Sequence, residues 1–279
     1  MRNLIFALLT LSLAVSSLAF DEGYSEVKLV GEIQVSFNTN FNAQDEVFPG
    51  LFVGEMASIM ACNHRFKFER TEFNELYNKN PNRFSMVLDF SMCDIQNGEA
   101  TNHHTKFYVY QIGDAECSFK NLESVMDTHF DEIDIALQNG ENVLIACQYG
   151  MSRSVTATIL YLMEKKDNSV FDAYYNVKKK RKIILPNGGF FKALLEKNNN
   201  LNKETKTPKE DLLTVIEEDK IPDAVKKLPK NESLEIEIYR YYWDLALYLK
   251  AKDIPFKISK ITPDGKKVTF SIQGDLCLP

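Results

Sequence analysis

Cys147 and Arg153 stand six positions apart in the run Val143-Leu144-Ile145-Ala146-Cys147-Gln148-Tyr149-Gly150-Met151-Ser152-Arg153-Ser154. Apolar residues before the cysteine suit a buried strand, and those after the arginine suit a helix, so the interval between them is a short strand-to-helix loop. Such a loop can turn several backbone N–H groups inward, and together with the helix N-terminus these bind a tetrahedral dianion. The same positive field lowers the pKa of a thiol at the base of the cradle, which makes Cys147 a candidate nucleophile near neutral pH. Arg153 offers a planar fork that takes two phosphoryl oxygens at once. Gly150 permits the tight backbone path, and Ser154 can offer a hydroxyl to the departing sulfur. Gln148, Tyr149, Gly150, Met151 and Ser152, with Arg153, form the expected substrate cradle.

This spacing resembles the C-x5-R signature of the cysteine-dependent protein tyrosine phosphatase superfamily. The form Cys147-x-x-Gly150-x-Ser152-Arg153-Ser154 is similar to its dual-specificity branch. A bare C-x5-R is common by chance, but the flanks add weight. After the loop come Val155 to Met163, then Phe171 to Val177, a basic run Lys178 to Lys182, and Ile183-Ile184-Leu185-Pro186-Asn187-Gly188-Gly189-Phe190. That order is similar to the dual-specificity pattern of loop, helix, short helix ending in basic residues, and a Ser-Pro-Asn-x-Gly-Phe turn into the last helix. Leu185 stands where that pattern has Ser. Upstream, Phe48-Pro49-Gly50-Leu51-Phe52-Val53-Gly54 looks like the opening strand, so the resemblance covers residues 45–200.

The chemistry also needs a proton donor for the leaving alkoxide or phenoxide. Asp114, in Tyr110-Gln111-Ile112-Gly113-Asp114-Ala115-Glu116, matches the position of the general acid that the resemblance implies, with Glu116 as the fallback. The plainer reading of Asp114 is a helix cap or a solvated turn. Ahead of the cysteine the superfamily ordinarily has His, where this chain has Ala146. That loss should raise the Cys147 pKa without removing nucleophile, arginine or acid. The expected function is therefore hydrolysis of phosphotyrosine and phosphoserine or phosphothreonine in proteins through a phosphocysteine, with no cofactor and no metal. A secreted phospho-binding pseudophosphatase is the first alternative. A phosphatase of carbohydrate or inositol phosphates is the second, and it is disfavoured because Gln148, Tyr149 and Met151 bring no lysine into the loop. Lys178 to Arg181 stands either as a reach toward a second phosphate or as a solvated helix end.

The start of the chain bears on location. Met1-Arg2-Asn3 precedes an apolar run from Leu4 to Val15, and Ser17-Leu18-Ala19 supplies small residues before Asp21-Glu22. This is the pattern of a secretory signal peptide, residues 1–19, with cleavage expected after Ala19. The apolar run is short for a membrane span. An extracytoplasmic product with no membrane partner after cleavage follows, and the net charge of −6 argues against nucleic acid. Oligomeric state is left open. With Cys147 free, Cys62, Cys93, Cys117 and Cys277 permit two disulfides in an oxidising compartment or four free thiols, and spacing assigns no pairing. His64, His103, His104 and His129 show no metal-ligand spacing.

The elements needed to position these residues follow the pattern of an α/β fold, a central mostly parallel sheet flanked by helices. Phe84 to Phe90, Thr105 to Tyr110 and Asn142 to Ala146 suit strands. Ser118 to Leu137, Val155 to Glu164, Ser169 to Lys179 and Phe190 to Asn198 suit helices. Residues 20–44 form an N-terminal extension in which Val27 to Phe37 suits one added strand. Residues 201–211, rich in Lys, Glu, Thr and Pro, suit a linker to a small C-terminal α+β extension over 212–279. There, Asp211 to Glu218 and Glu232 to Lys250 suit helices. Phe256 to Ile261 and Lys267 to Ile272 suit a hairpin turned at Thr262-Pro263-Asp264-Gly265.

Overall fold

The computed structural model describes residues 24–30, 33–38, 44–55, 84–91, 98–101, 106–229 and 231–273. Two compact units divide the chain, Met1–Ala43 and Gln44–Pro279. In the first, β1 (Tyr24–Val30) pairs antiparallel with β2 (Ile33–Asn38), Val30 opposite Ile33. The segment expected as one strand from Val27 to Phe37 is thus two, because the weak alternation is shared by both arms of a hairpin.

The second unit is built on a six-stranded sheet. Its strands are β3 (Gln44–Phe48), β4 (Leu51–Glu55), β5 (Phe84–Asp89), β6 (Gly98–Thr101), β7 (Lys106–Val109) and β8 (Asn142–Cys147). The order is β3-β4-β8-β5-β7-β6. The inner four are parallel, and β3 and β6 close the edges antiparallel. β8 lies between two parallel neighbours, which is why Val143 to Cys147 are all buried and read as an unbroken apolar run. The segment Phe48 to Gly54 holds a reversal: Gly50 (φ +75°) takes the left-handed conformation between β3 and β4, as glycine allows.

The helices of this layer are α1 (Phe119–Gln138), α2 (Arg153–Lys165), α3 (Val170–Lys180) and α4 (Gly188–Asn200). α1 is amphipathic, burying Phe119, Leu122, Met126, Phe130 and Ile133 at three- and four-residue spacing. α2 is buried from Arg153 through Met163, with α1, α3, α4 and β8 packed around it. α3 starts at a capping box in which Ser169 and Asp172 exchange side-chain and backbone bonds. Asp172 also accepts from the backbone N–H groups of Lys206 (3.1 Å) and Thr207 (2.8 Å), which fastens the polar run after α4 to the sheet unit. Burial alone would raise the Asp172 pKa, but the bonds from Thr207, Lys206 and Ser169 outweigh it and hold the carboxyl below its usual value.

Beyond this run lie α5 (Lys209–Leu213), α6 (Asp223–Lys226), β9 (Ser233–Tyr239), α7 (Tyr242–Ala251), β10 (Phe256–Ile261) and β11 (Lys267–Gln273). The last three strands form a sheet of order β10-β11-β9, antiparallel throughout. The expected helix from Glu232 to Lys250 is corrected to a strand followed by a shorter helix. Leu234, Ile236 and Ile238 alternate with Glu235 and Glu237, a two-residue period, and only after Arg240 (φ +65°) does the chain enter a helix. The expected helix over Asp211 to Glu218 is reduced to α5. α7 is apolar on every side because Tyr242 through Leu249 are all buried. Among the described residues, no helix is long and apolar enough to cross a membrane.

Candidate active site

The site lies at the carboxyl end of β8, where the strand leaves the sheet and turns into α2. Cys147, the last residue of β8, is 2% exposed, and its Sγ lies 3.2 Å from Ser154 Oγ in the first turn of α2. The four loop carbonyls that follow are all occupied. Tyr149 O and Gly150 O accept from the Arg181 guanidinium (3.3 and 2.8 Å), Met151 O from Leu185 N (2.8 Å), and Ser152 O from Thr156 N (2.8 Å). The N–H groups of Tyr149, Gly150, Met151 and Ser152 find no acceptor among the described residues. Tying the carbonyls back frees the amides to serve an anion, which is the electrical arrangement of a phosphate cradle. Gly150 is required at its position: with φ +63°, an added Cβ would stand 2.6 Å from Arg181 Nη2 and 2.7 Å from Gly54 O.

Arg153 is 4% exposed. Its Nη1 donates to Phe90 O (2.9 Å) and Ile112 O (3.1 Å), which fixes the plane of the guanidinium. Its Nε is buried without a partner. An unpartnered buried donor costs free energy unless a ligand supplies an acceptor, and a guanidinium favours an anionic one. The Phe90 carbonyl is itself aimed by the turn after β5: Phe90 N donates to Ala146 O (2.8 Å), and Asp89 accepts from Ser91 N (2.7 Å) and Ser91 Oγ (2.8 Å).

Asp114 sits on the loop between β7 and α1, exposed, and reaches the same mouth. Its Oδ1 accepts from Ser152 Oγ (2.6 Å) and from Asn187 Nδ2 (2.6 Å), while Asn187 N donates to Ser152 Oγ (3.0 Å). With Oδ1 carrying two donors, Oδ2 is the oxygen left to carry a transferable proton. The fallback acid Glu116 instead faces Lys192 at 3.5 Å on the surface.

Two carboxyl groups flank the nucleophile strand. Glu55 is the register partner of Cys147 on β4, and Asp89 that of Ala146 on β5. Burial pushes the Glu55 pKa up to about 7, opposed by the positive charge of Arg181 and assisted by the negative charge of Asp45. Burial likewise pushes Asp89 up to about 6, opposed by its bonds from Ser91 and by the charge of Arg153. Both shifts favour the neutral form of a carboxyl, which carries less negative charge next to the nucleophile strand.

In the basic run Lys179 and Lys180 lie exposed in the last turn of α3, as a solvated helix end would, and Arg181 departs from both readings. Arg181 is 1% exposed and points inward, behind the loop, with Nη1 on Asp45 Oδ2 at 2.6 Å. It braces the loop carbonyls and reaches no second phosphate, while Lys179 and Lys180 remain at the surface. Arg181 thus supplies a support for the loop in a chain whose residue before the nucleophile is Ala146. Sequence reasoning missed Arg181, Asp45, Asp89 and the carbonyls of Phe90 and Ile112. Only Asn187 had a local signal, as part of the Pro-Asn turn ahead of α4. Cys117 is exposed with a free thiol, and Cys147 is also free. Cys62, Cys93 and Cys277 lie outside the described residues, as do residues 1–19, His64, His103 and His104.

Residues 71–200 match the family model of the dual specificity phosphatase catalytic domain, a little under half the chain. A protein of Invertebrate iridescent virus 6 that carries a tyrosine phosphatase name is 45% identical over 87 residues, 30% of this chain and 58% of that protein. Dual specificity protein phosphatase 1 of Arabidopsis thaliana is 44% identical over 80 residues, 28% of this chain and 40% of that protein. The chain thus spans about half the length of these curated relatives. Among solved structures, human DUSP28 aligns with a TM-score of 0.44 and 20% identity, covering 58% of this chain and 97% of the other. Residues 71–200, which contain the cysteine, the arginine and the aspartate of the site, are similar in sequence to the catalytic domain of dual specificity phosphatases.

Proposed function

We propose that this chain hydrolyses phosphotyrosine and phosphoserine or phosphothreonine in proteins through a phosphocysteine intermediate. The observation that carries this reading is a buried thiol at the end of β8 followed, in one strand-to-helix loop, by amides without acceptors among the described residues and by a buried Arg153 whose Nε has no partner. Cys147 Sγ, as thiolate, attacks phosphorus in line. The loop N–H groups and Arg153 hold the three equatorial oxygens as charge spreads over them. The bond from phosphorus to the leaving oxygen breaks, and the proton on Asp114 Oδ2 passes to that oxygen. Asp114, now ionised, takes a proton from water as the water attacks the phosphocysteine. Sulfur leaves as thiolate, stabilised by a hydrogen bond donated by Ser154 Oγ across the 3.2 Å contact. The absence of lysine at Gln148, Tyr149 and Met151 favours phosphoprotein over inositol phosphate substrates.

Asp114→Ala tests the proton donor. It should lower kcat/KM, which reports phosphocysteine formation alone, by on the order of 10²-fold toward phosphoserine peptides, within the range for general acid catalysis, and lower it less for para-nitrophenyl phosphate, whose leaving group needs no proton. Equal rates for mutant and unmutated protein on the peptide would remove Asp114 from the mechanism.

We also propose that the protein is exported, on the strength of the n-region, apolar core and small residues of positions 1–19. Expressed in a secretory host, the product should begin at Phe20. Recovery of the product in the cytoplasm with an intact leader would exclude export.

A further inference from the structure

The segment after α4 has no part in the phosphate cradle, yet it touches the residue that holds Asp114. Tyr242 Oη donates to Pro186 O at 2.7 Å, and Trp243 Nε1 donates to the same oxygen at 3.3 Å. On the other side, Gly188 N donates to Gly265 O at 2.8 Å, in the turn between β10 and β11. The contact is close enough that a Cβ on Gly188 would stand 2.8 Å from Gly265 O, and one on Gly265 would stand 3.3 Å from Asn187 Cβ. Asn187 is therefore gripped from both neighbours in the chain. Its own side chain is also fixed at both ends: Oδ1 accepts from Phe190 N (3.0 Å) to cap α4, and Nδ2 donates to Asp114 Oδ1 (2.6 Å). The grip has a rigid base, because the Trp243 ring stacks on Tyr174 of α3 (centroids 4.1 Å apart, planes 6° apart) and packs against Phe191 of α4.

We propose that the α7 and β10–β11 segment positions the general acid: Tyr242, Trp243 and the Gly265 turn hold Asn187, and Asn187 orients Asp114 for proton donation. This rests on the reading of Asp114 as the proton donor. Tyr242 and Trp243 are positioning residues, touching neither substrate nor sulfur. In kcat/KM their effect should appear chiefly where the leaving oxygen needs a proton, since Arg153 is held separately by Phe90 O and Ile112 O, and the Tyr149 and Gly150 carbonyls by Arg181.

The test is a double-mutant cycle on the full chain, with Tyr242→Phe and Asp114→Ala, each assayed on a phosphoserine peptide and on para-nitrophenyl phosphate. Tyr242→Phe keeps the ring and removes only the bond to Pro186 O. Expected are a fall of about five- to tenfold in kcat/KM for the peptide, a change under about twofold in kcat/KM for the aryl phosphate, and no further loss when Tyr242→Phe is added to Asp114→Ala. If Tyr242→Phe slows both substrates equally, or if its effect multiplies with that of Asp114→Ala, the segment acts on stability alone and the proposal fails. Unchanged rates on both substrates also overturn it. If Asp114→Ala itself leaves the peptide rate untouched, the proton-donor reading fails first and takes this proposal with it. Should Tyr242→Phe not fold, Trp243→Phe, which retains an aromatic ring against Tyr174 and removes the other donor, is put through the same cycle.

Discussion

Cys147→Ser is expected to lower phosphomonoester hydrolysis by more than about 10⁴-fold, the scale seen when the nucleophile of a covalent mechanism is removed. The cradle explains why the loss should be chemical. The four loop carbonyls are held by Arg181, Leu185 and Thr156, and none of these bonds involves the thiol. Inorganic phosphate should therefore bind the variant within a few-fold of the unmutated protein while turnover vanishes, because a serine hydroxyl is not ionised by a field that ionises a thiol. Calorimetric phosphate titration with a parallel rate assay separates the two. Rapid acid quench of the unmutated protein should also trap a species heavier by one phosphoryl group, absent from Cys147→Ser. A variant that retains a tenth of the rate would remove Cys147 from the mechanism.

Arg153→Lys carries the second largest expected effect. Nη1 is spent on Phe90 O and Ile112 O, and Nε is buried without a partner. An ammonium group keeps the charge but has no planar fork with which to satisfy two carbonyls and a phosphoryl oxygen together. kcat/KM should fall by about 10³- to 10⁵-fold, the span for an arginine that stabilises a transferring phosphoryl group. Both kcat and phosphate affinity should drop, in contrast to Cys147→Ser. Leaving one buried carbonyl unpaired costs about 1–3 kcal/mol, so a lowered Tm is expected alongside. Full activity in Arg153→Lys would show that a point charge suffices and that the fork geometry is idle.

The two variants together separate binding from bond making. Loss of turnover with binding retained in Cys147→Ser, and loss of both in Arg153→Lys, is the signature of a nucleophile seated under an anion cradle. A protein that only bound phosphate would show no turnover to lose, and its affinity alone would respond to Arg153→Lys.

The behaviour of Arg181 also bears on Ala146. Arg181 is buried and ion-paired with Asp45, and breaking a buried pair by removing one partner costs up to about 3–5 kcal/mol. Support for the loop thus comes from the C-cap of α3 and from β3, while Arg153 is held by Phe90, which follows β5 on the other side of β8.

What the sequence determined by itself is local. The Cys147-to-Arg153 spacing, the buried run of β8, the amphipathic period of α1 and the turn at Pro263-Asp264-Gly265 each depend on residues within one element or its immediate neighbour, where hydrogen-bond spacing and side-chain period dictate the outcome. Period also misled where one stretch held two elements. Ser233 to Tyr239 alternates with a period of two and Tyr242 to Ala251 is almost wholly apolar, and the break between them falls at Arg240, whose positive φ its residue type does not announce. The tertiary structure alone decided how the site is held. Arg181 meets Asp45 across 136 positions, Arg153 meets Phe90 O across 63, and Tyr242 meets Pro186 O across 56. Two of these acceptors are backbone carbonyls, which every residue carries, so no residue type announces them. A guanidinium that supports a loop and one that binds a substrate are the same letters until the fold shows which way each one faces.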